Sequence, residues 1–221
     1  QERGISVSTS VMQFDFDGLR INLLDTPGHA DFSEDTYRTL AAVDSAVMVL
    51  DVAKGVEAQT KKLFEVCRLR RTPIFTFINK MDREGRSPFE LMDEVEKLLN
   101  IQCNPISWPI GMGKGFKGIY HRPLKKIILF KESGFAADEA EEIPFDSVAD
   151  PRLTEILGEE NHVQLMEDIE LVDGTIGPFD REAFLRGDVT PVMFGSGRTN
   201  FGVKAFLELF CEIAPAPGSQ T

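Results

Sequence analysis

The 221-residue sequence contains little cysteine, and no long apolar run. Its 3 cysteines are an odd number without a C-x-x-C spacing, so no disulfide framework is predicted. Cys67 and Cys211 lie in apolar, helix-like patterns that are typical of core thiols, and we expect a reducing, cytoplasmic compartment. No apolar stretch reaches the length of a membrane span, and no signal-peptide pattern is present.

Basic residues are too few for a general nucleic-acid binder. The chain carries 36 acidic and 24 basic residues, a formal net charge of -12, and a uniformly acidic surface repels polyanions. The two basic stretches, 68-RLRR-71 and 122-RPLKK-126, are interpreted as a solvated helix end and a hairpin. We predict no membrane partner and no sequence-specific nucleic-acid contact by this chain, and we expect a monomer.

The sequence does contain alternating strand and helix patterns. Three apolar runs are typical of strands buried on both faces of a mainly parallel sheet: 46-AVMVLDV-52, 74-IFTFIN-79 and 191-PVMFG-195. Amphipathic helical patterns cover residues 57–70, 87–100 and 202–213. Because strands alternate with helices, the pattern predicts an open α/β sheet.

The clearest helix pattern covers residues 87–100. Ser87 can cap this helix, Pro88 suits its first position, and Glu90 completes a capping box. The apolar residues of the pattern form one stripe, made of Leu91, Met92, Val95, Leu98 and Leu99.

Two other segments depart from the α/β alternation. A strand over residues 7–16 and a second over residues 20–25 predict a hairpin that turns at Gly18. Residues 103–190 contain short strand-like pieces, an acidic loop and helical pieces, which indicates an insertion. The predicted core is therefore residues 1–102 and 191–214, with an insertion over 103–190 and a linker over 215–221.

Unusual residues follow three of the predicted strands. Open α/β sheets bind ligands beyond the carboxyl ends of their strands. The segments at these ends are 25-DTPGH-29, 79-NKMD-82 and 195-GSG-197. We expect all three to lie along one edge of the sheet.

The segment 79-NKMD-82 is suited to recognising guanine. The carboxylate of Asp82 can accept two parallel hydrogen bonds, and guanine offers such a donor pair at N1–H and its 2-amino group, whereas adenine does not. Lys80 can lay its methylene groups along a base, and Asn79 can connect neighbouring loops. The alternative is a helix N-cap region with solvated charges.

The segment 25-DTPGH-29 is suited to phosphate and metal. Asp25 can bind a hydrated Mg²⁺, Gly28 allows a backbone N–H to approach a phosphate, and His29 can position an attacking water. The alternatives are an ordinary turn and a plain surface or core histidine. Ser6 can contribute a hydroxyl or carbonyl to Mg²⁺, although a serine before a strand usually has no such role.

These motifs, together with 3-RGIS-6, resemble the GTPase domain of the translational GTPases. Residues 25–57 and 105–122 resemble the members that act in translation termination more than they resemble elongation factor G. The resemblance implies a P-loop NTPase-like fold, GTP or GDP and Mg²⁺ as ligands, and GTP hydrolysis. It also implies that the protein binds the ribosome and promotes dissociation of class I release factors.

The resemblance assigns a role to each candidate residue. Ser6 lies in switch I, where threonine is more usual, and provides a metal ligand. Asp25 and Gly28 lie in switch II, where Asp25 binds Mg²⁺ through water, and His29 orients the attacking water. The residues that contact guanine are Asn79, Lys80, Asp82, Ser196 and Gly197. At Gly197, where alanine is more usual, the backbone N–H of this residue or of its neighbour meets guanine O6.

One family motif, the phosphate loop G-x-x-x-x-G-K-[ST], does not occur in the sequence. The stretch 111-GMGKGFKG-118 has the wrong spacing. We expect truncation, with the first strand, phosphate loop and first helix lacking, and no useful turnover by this chain alone. Two alternatives stay open: a relative of elongation factor G, and a nucleotide-free interaction module.

Overall fold

The computed structural model describes residues 10–26, 34–131 and 140–218. The strands are β1 (Ser10–Phe16), β2 (Leu19–Asp25), β3 (Ala46–Asp51), β4 (Ile74–Asn79), β5 (Gln102–Pro105), β6 (Ser107–Ile110), β7 (Gly118–His121), β8 (Lys126–Leu129), β9 (Glu142–Pro144) and β10 (Val189–Phe194). The α-helices are α1 (Glu34–Ala41), α2 (Ala58–Leu69), α3 (Pro88–Leu99), α4 (Arg152–Leu157), α5 (Glu159–Thr175), α6 (Arg181–Arg186) and α7 (Val203–Ile213). No helix in these ranges is long and apolar enough to cross a bilayer.

The main sheet has the order β3-β4-β10-β5, and all its pairings are parallel. The predicted α/β class, with a parallel sheet flanked by helices, is confirmed. Strands β4 and β10 are almost wholly buried, as their apolar sequences predict. The same prediction is wrong for β3, where Val47 and Val49 are exposed. The reason is position: β3 is an edge strand of the described sheet and pairs only with β4.

Aromatic side chains connect the middle of this sheet to the helices. The ring of Phe75 on β4 lies 4.9 Å from that of Phe184 on α6. On α7, the rings of Phe206 and Phe210 lie 5.6 Å and 5.2 Å from Phe75. This contact set explains why α7 carries a continuous apolar stripe: the stripe covers β4.

The hairpin β1–β2 forms as predicted, with antiparallel pairing and Gly18 at a φ of 75° in the turn. Among the described residues it is a separate two-stranded sheet. The expectation that β2 ends along the same edge as β4 and β10 stays a prediction, because most of the segment 25–29 lies outside the described residues.

A second, antiparallel sheet has the order β6-β7-β8-β9 and is followed by helices α4 to α6. It lies against the main sheet, since the Ile106 backbone N–H donates to the carbonyl of Val192 over 2.9 Å. Strand β5 precedes this sheet and pairs with β10 in the parallel sheet. The predicted boundary of the insertion at residue 103 stays a prediction.

Helix α3 begins at Pro88, but its predicted capping box is not formed. Ser87 makes no side-chain capping hydrogen bond. Glu90 Oε2 lies 3.9 Å from Arg86 Nε, at the exposed surface of the helix. Leu98 is exposed, because it lies at the margin of the apolar stripe, while the other four predicted members are buried.

His121, at the end of β7, is buried, and its Nδ1 accepts a hydrogen bond from the backbone N–H of Leu124 over 3.3 Å. Burial is the main reason that the pKa of His121 is lowered to about 4, and the positive charge of Lys126 adds to it. Glu142 acts in the opposite direction. His121 is thus a neutral structural acceptor in the folded protein.

We expect His121 to make the protein less stable in acid. Between the ordinary histidine pKa of 6.5 and about 4, the unfolded chain binds a proton here that the folded chain does not. The stabilisation is therefore complete above pH ~6.5 and decreases as the pH falls, by roughly 2 to 3 kcal/mol at about pH 4.5. Urea unfolding near pH 7 and pH ~4.5 measures it. His121→Asn, which keeps an acceptor, should remove this component; an identical pH dependence in both proteins would contradict the assignment.

Candidate nucleotide-binding site

The candidate site lies where β3, β4 and β10 end. Asp51 and Asn79, the last residues of β3 and β4, are partners in the parallel register. Beyond β10, the Gly195 backbone N–H donates to the carbonyl of Ile78 over 3.0 Å. The loops that follow these strands are therefore neighbours at the carboxyl edge of the sheet. We call residues 79–82 the base-recognition loop.

Asn79 connects two loops through a single oxygen. Its Oδ1 accepts a hydrogen bond from the backbone N–H of Lys80 over 2.8 Å and another from that of Gly197 over 2.7 Å. The first bond stabilises the start of the base-recognition loop, and the second joins it to the loop after β10. The role predicted for Asn79, tying neighbouring loops together, agrees with this geometry.

Lys80 lies in an unusual backbone conformation beside a carboxylate. Its φ is 70°, in the left-handed region that non-glycine residues rarely adopt. Its Nζ donates to Asp51 Oδ2 over 2.8 Å, and the Lys80 side chain is 40% exposed. The hydrogen bond from Lys80 is the main reason that the pKa of Asp51 is lowered. Strained backbone of this kind concentrates at functional sites, where surrounding contacts stabilise it.

The carboxylate of Asp82 accepts a hydrogen bond at only one of its two oxygens from the described residues. Its Oδ1 accepts a hydrogen bond from the Ser196 hydroxyl over 2.7 Å. Ser196 is fully buried and exchanges two backbone hydrogen bonds with Phe201, which closes the loop after β10. Oδ2 accepts no hydrogen bond from the residues that the structure covers. Because Oδ1 keeps a second lone pair, the two oxygens can still bind a parallel donor pair.

Gly197 leaves room for a larger residue. A Cβ added there would lie 3.5 Å from Asn79 Oδ1, an ordinary contact, so the more usual alanine would also fit. Its backbone N–H, however, already donates to Asn79. Of the two amides predicted for guanine O6, that of residue 197 is therefore engaged here.

The structure brings together five of the predicted site residues, namely Asn79, Lys80, Asp82, Ser196 and Gly197. Asp25 is exposed at the end of the separate hairpin. Ser6, Gly28 and His29 lie outside the described residues. Within the ranges described, no group of three or more His, Cys, Asp or Glu side chains could bind a metal ion.

Asp51 belongs to this site but was not predicted from the sequence. The argument that located the other residues applies to it equally, because 46-AVMVLD-51 is an apolar run that ends in a carboxylate. Its position opposite Asn79 follows from the parallel register of β3 and β4.

The cysteines do not contribute to this chemistry. Cys67 and Cys103 are buried, and Cys211 is half-buried, all as free thiols. Burial raises the pKa of Cys67 to about 11 and also raises that of Cys103. Neither thiol is a nucleophile near neutral pH.

A cavity of about 840 Å³ opens at the opposite, amino end of β5 and β10. Its arginines are already bonded: Arg68 donates to the carbonyls of Leu99 and Asn100, and Arg186 pairs with Asp188. Cavity size thus favours a ligand site at the amino end of the sheet, whereas the available polar groups favour one at the carboxyl end. We favour the carboxyl end, because Asp82 there has an oxygen free to accept hydrogen bonds.

A parallel sheet with these loops at its carboxyl edge defines a nucleotide-binding α/β domain. The chain belongs to the family of the elongation factor Tu GTP-binding domain, whose sequence model matches residues 1–216. It is 54% identical over 217 residues to peptide chain release factor 3 of Symbiobacterium thermophilum, a match that covers 98% of this chain and 41% of that protein.

A solved structure shows the same fold. A Thermus thermophilus protein of known crystal structure matches with a TM-score of 0.72 and 25% sequence identity, over 96% of this chain and 33% of that one. The chain therefore spans about two fifths of the curated relative and one third of the structural one.

Ser196→Ala should weaken guanine nucleotide binding with little effect on the fold. The variant loses a hydrogen bond to the Asp82 carboxylate, and we expect the Kd for GDP in the intact protein to rise roughly three- to tenfold. Calorimetric titration with GDP measures the change. Thr199→Ala is the control, because it removes a hydroxyl from the same loop that bonds to the Ser196 carbonyl and not to Asp82. Equal Kd values for GDP in Ser196→Ala and wild type would show that the Ser196 hydroxyl does not contribute to nucleotide binding.

Proposed function

We propose that this chain is the guanine-nucleotide-binding part of a GTP-hydrolysing translation factor that acts in the cytoplasm during termination. In this proposal the protein binds the ribosome and promotes the dissociation of class I release factors. GTP or GDP binds at the carboxyl edge of the parallel sheet, with Asn79, Lys80, Asp82, Ser196 and Gly197 around the base.

The observation that carries the proposal is the oriented carboxylate of Asp82. Its Oδ1 accepts a hydrogen bond from Ser196 and keeps a second lone pair, so both carboxylate oxygens can accept from a ligand. Guanine presents two parallel donors to such a group, whereas adenine presents an acceptor at N1. Lys80 lies alongside, with methylene groups that can cover one face of the base.

The proposed contacts to Mg²⁺ and to the phosphates involve residues near the start of the chain. Mg²⁺ in nucleotide sites is usually bound by one or two protein oxygens, water and phosphate oxygens, so a cluster of carboxylates is not required. Asp25 fits this role through water, with a hydroxyl or carbonyl from Ser6. The Gly28 backbone N–H would contact the terminal phosphate, and His29 would orient the attacking water.

The assignment to termination is supported by the name of the 54% identical relative, peptide chain release factor 3. The main alternative, a protein like elongation factor G, shares the nucleotide motifs. The sequence of elongation factor G differs from this chain over residues 31–40 and 105–122. Measuring ribosome-dependent GTP hydrolysis together with release-factor dissociation separates the two.

Binding of a fluorescent GDP analogue with Mg²⁺, competed with GTP and with ATP, tests the nucleotide proposal. We expect the intact protein to bind the analogue, GTP to displace it, and ATP to leave it bound. The same titration on residues 1–221 alone measures nucleotide binding by this chain. GTP hydrolysis by residues 1–221 with ribosomes present tests the expected lack of turnover. An intact protein that binds no guanine nucleotide would favour the interaction-module alternative.

A further inference from the structure

A loop of the antiparallel sheet contacts the base-recognition loop directly. This loop, residues 111–115 with the sequence GMGKG, is the first part of the connection between β6 and β7. The backbone N–H of Gly113 donates to the carbonyl of Met81 over 3.0 Å. In the other direction, the backbone N–H of Gly85 donates to Met112 Sδ over 3.0 Å. Two hydrogen bonds of opposite sense therefore join residues 81–85 to the GMGKG loop.

The backbone of Met81, between Lys80 and Asp82, is hydrogen-bonded through both its N–H and its carbonyl. Its backbone N–H donates to the carbonyl of Gly195 over 3.1 Å, and its carbonyl accepts from Gly113. Its side chain is fully buried. The peptide groups between Lys80 and Asp82 are thus held by two hydrogen bonds, one to the loop after β10 and one to the GMGKG loop of the antiparallel sheet.

Position 113 favours glycine because of its backbone conformation. The φ of Gly113 is 61°, in the left-handed region, and a Cβ built there would overlap Oε1 of Glu84. Glu84 follows the base-recognition loop by two residues, and because its flexible side chain is exposed, it can move aside for a side chain at 113. Gly115 in the same loop is different, since a Cβ there would have nothing within 4 Å and its φ is not in the left-handed region.

We propose that the GMGKG loop positions the base-recognition loop, with Met112 and Gly113 as positioning residues for the Asp82 carboxylate. This inference rests on the proposed guanine site. Neither residue touches the base; both act through Met81 and Gly85. It follows that a partner which shifts the antiparallel sheet changes the protein's affinity for the base.

The test compares Gly113→Ala with Gly115→Ala in the intact protein, by titration with GDP and with inosine diphosphate. Inosine lacks the 2-amino group, so the ratio of the two Kd values reports the placement of Asp82. We expect Gly113→Ala to raise the Kd for GDP about tenfold and the Kd for inosine diphosphate less, because each misplaced hydrogen bond costs about that factor. Gly115→Ala should match wild type.

A second variant covers the case in which Gly113→Ala does not fold. Met112→Leu removes the sulfur acceptor of Gly85 at similar volume, and we expect the same loss of discrimination, reduced to about threefold. If wild type prefers GDP to inosine diphosphate and both variants keep that preference, this inference is overturned, but the proposed guanine site is not. Wild type without guanine binding would overturn the proposed function itself. Equal weakening of both nucleotides would also count against positioning of Asp82.

Discussion

Replacing Asp82 with asparagine is expected to abolish most GDP binding and to create binding of xanthosine diphosphate. In the proposed site the carboxylate accepts from two guanine donors, and the amide of asparagine would place a donor against one of them. Losing two charge-assisted hydrogen bonds should raise the Kd for GDP by roughly 100-fold or more. Xanthine has a carbonyl where guanine has its amino group, so the asparagine amide can donate to it.

Titration of the intact protein with both nucleotides measures this exchange of specificity. Asp93→Asn makes the same chemical change on the exposed surface of α3, where Asp93 pairs with Lys97, and should leave both Kd values unchanged. Retained GDP binding by Asp82→Asn would show that the base is recognised elsewhere. Loss of both nucleotides with an intact fold would show that Asp82 supports the loop rather than the base.

Replacing Trp108 with alanine is expected to destabilise the protein by about 3 to 5 kcal/mol. Trp108 is on β6 and is fully buried. Its ring centroid lies 4.7 Å from that of Phe89, next to the start of α3, and 5.9 Å from that of Phe194 on β10. Its Nε1 donates to Asp168 Oδ2 on α5 over 3.0 Å. One side chain therefore joins the antiparallel sheet to the parallel sheet and to two helices.

Urea unfolding followed by circular dichroism measures this loss, because Trp108 is the only tryptophan and its fluorescence disappears in the variant. Trp108→Phe keeps much of the packing and loses the hydrogen bond, so about 1 to 2 kcal/mol is expected. Leu124→Ala, at an exposed position, should change stability by less than about 0.5 kcal/mol. A Trp108→Ala protein within about 1 kcal/mol of wild type would mean that the two sheets are joined elsewhere.

Local sequence patterns predicted much of the fold. The runs that became β4 and β10 are buried on both faces because a central strand of a parallel sheet can expose neither, so the apolar sequence is decisive there. The same apolar pattern predicted a strand buried on both faces at β3, and this was wrong. An apolar composition does not indicate whether a strand lies at the edge of its sheet. At Ser87, the capping pattern was present, but the serine makes no side-chain capping hydrogen bond and the box is not formed.

The sequence by itself determined which residues stand at the strand ends, because Asn79, Lys80 and Asp82 follow one apolar run and Ser196 another. Only the tertiary structure decided what connects them. Ser196 donates to Asp82 across 114 residues of chain, Asp51 pairs with Lys80, and Gly113 bonds to Met81. Such contacts depend on sheet order and register, which place distant segments side by side, and no periodicity within one segment encodes them.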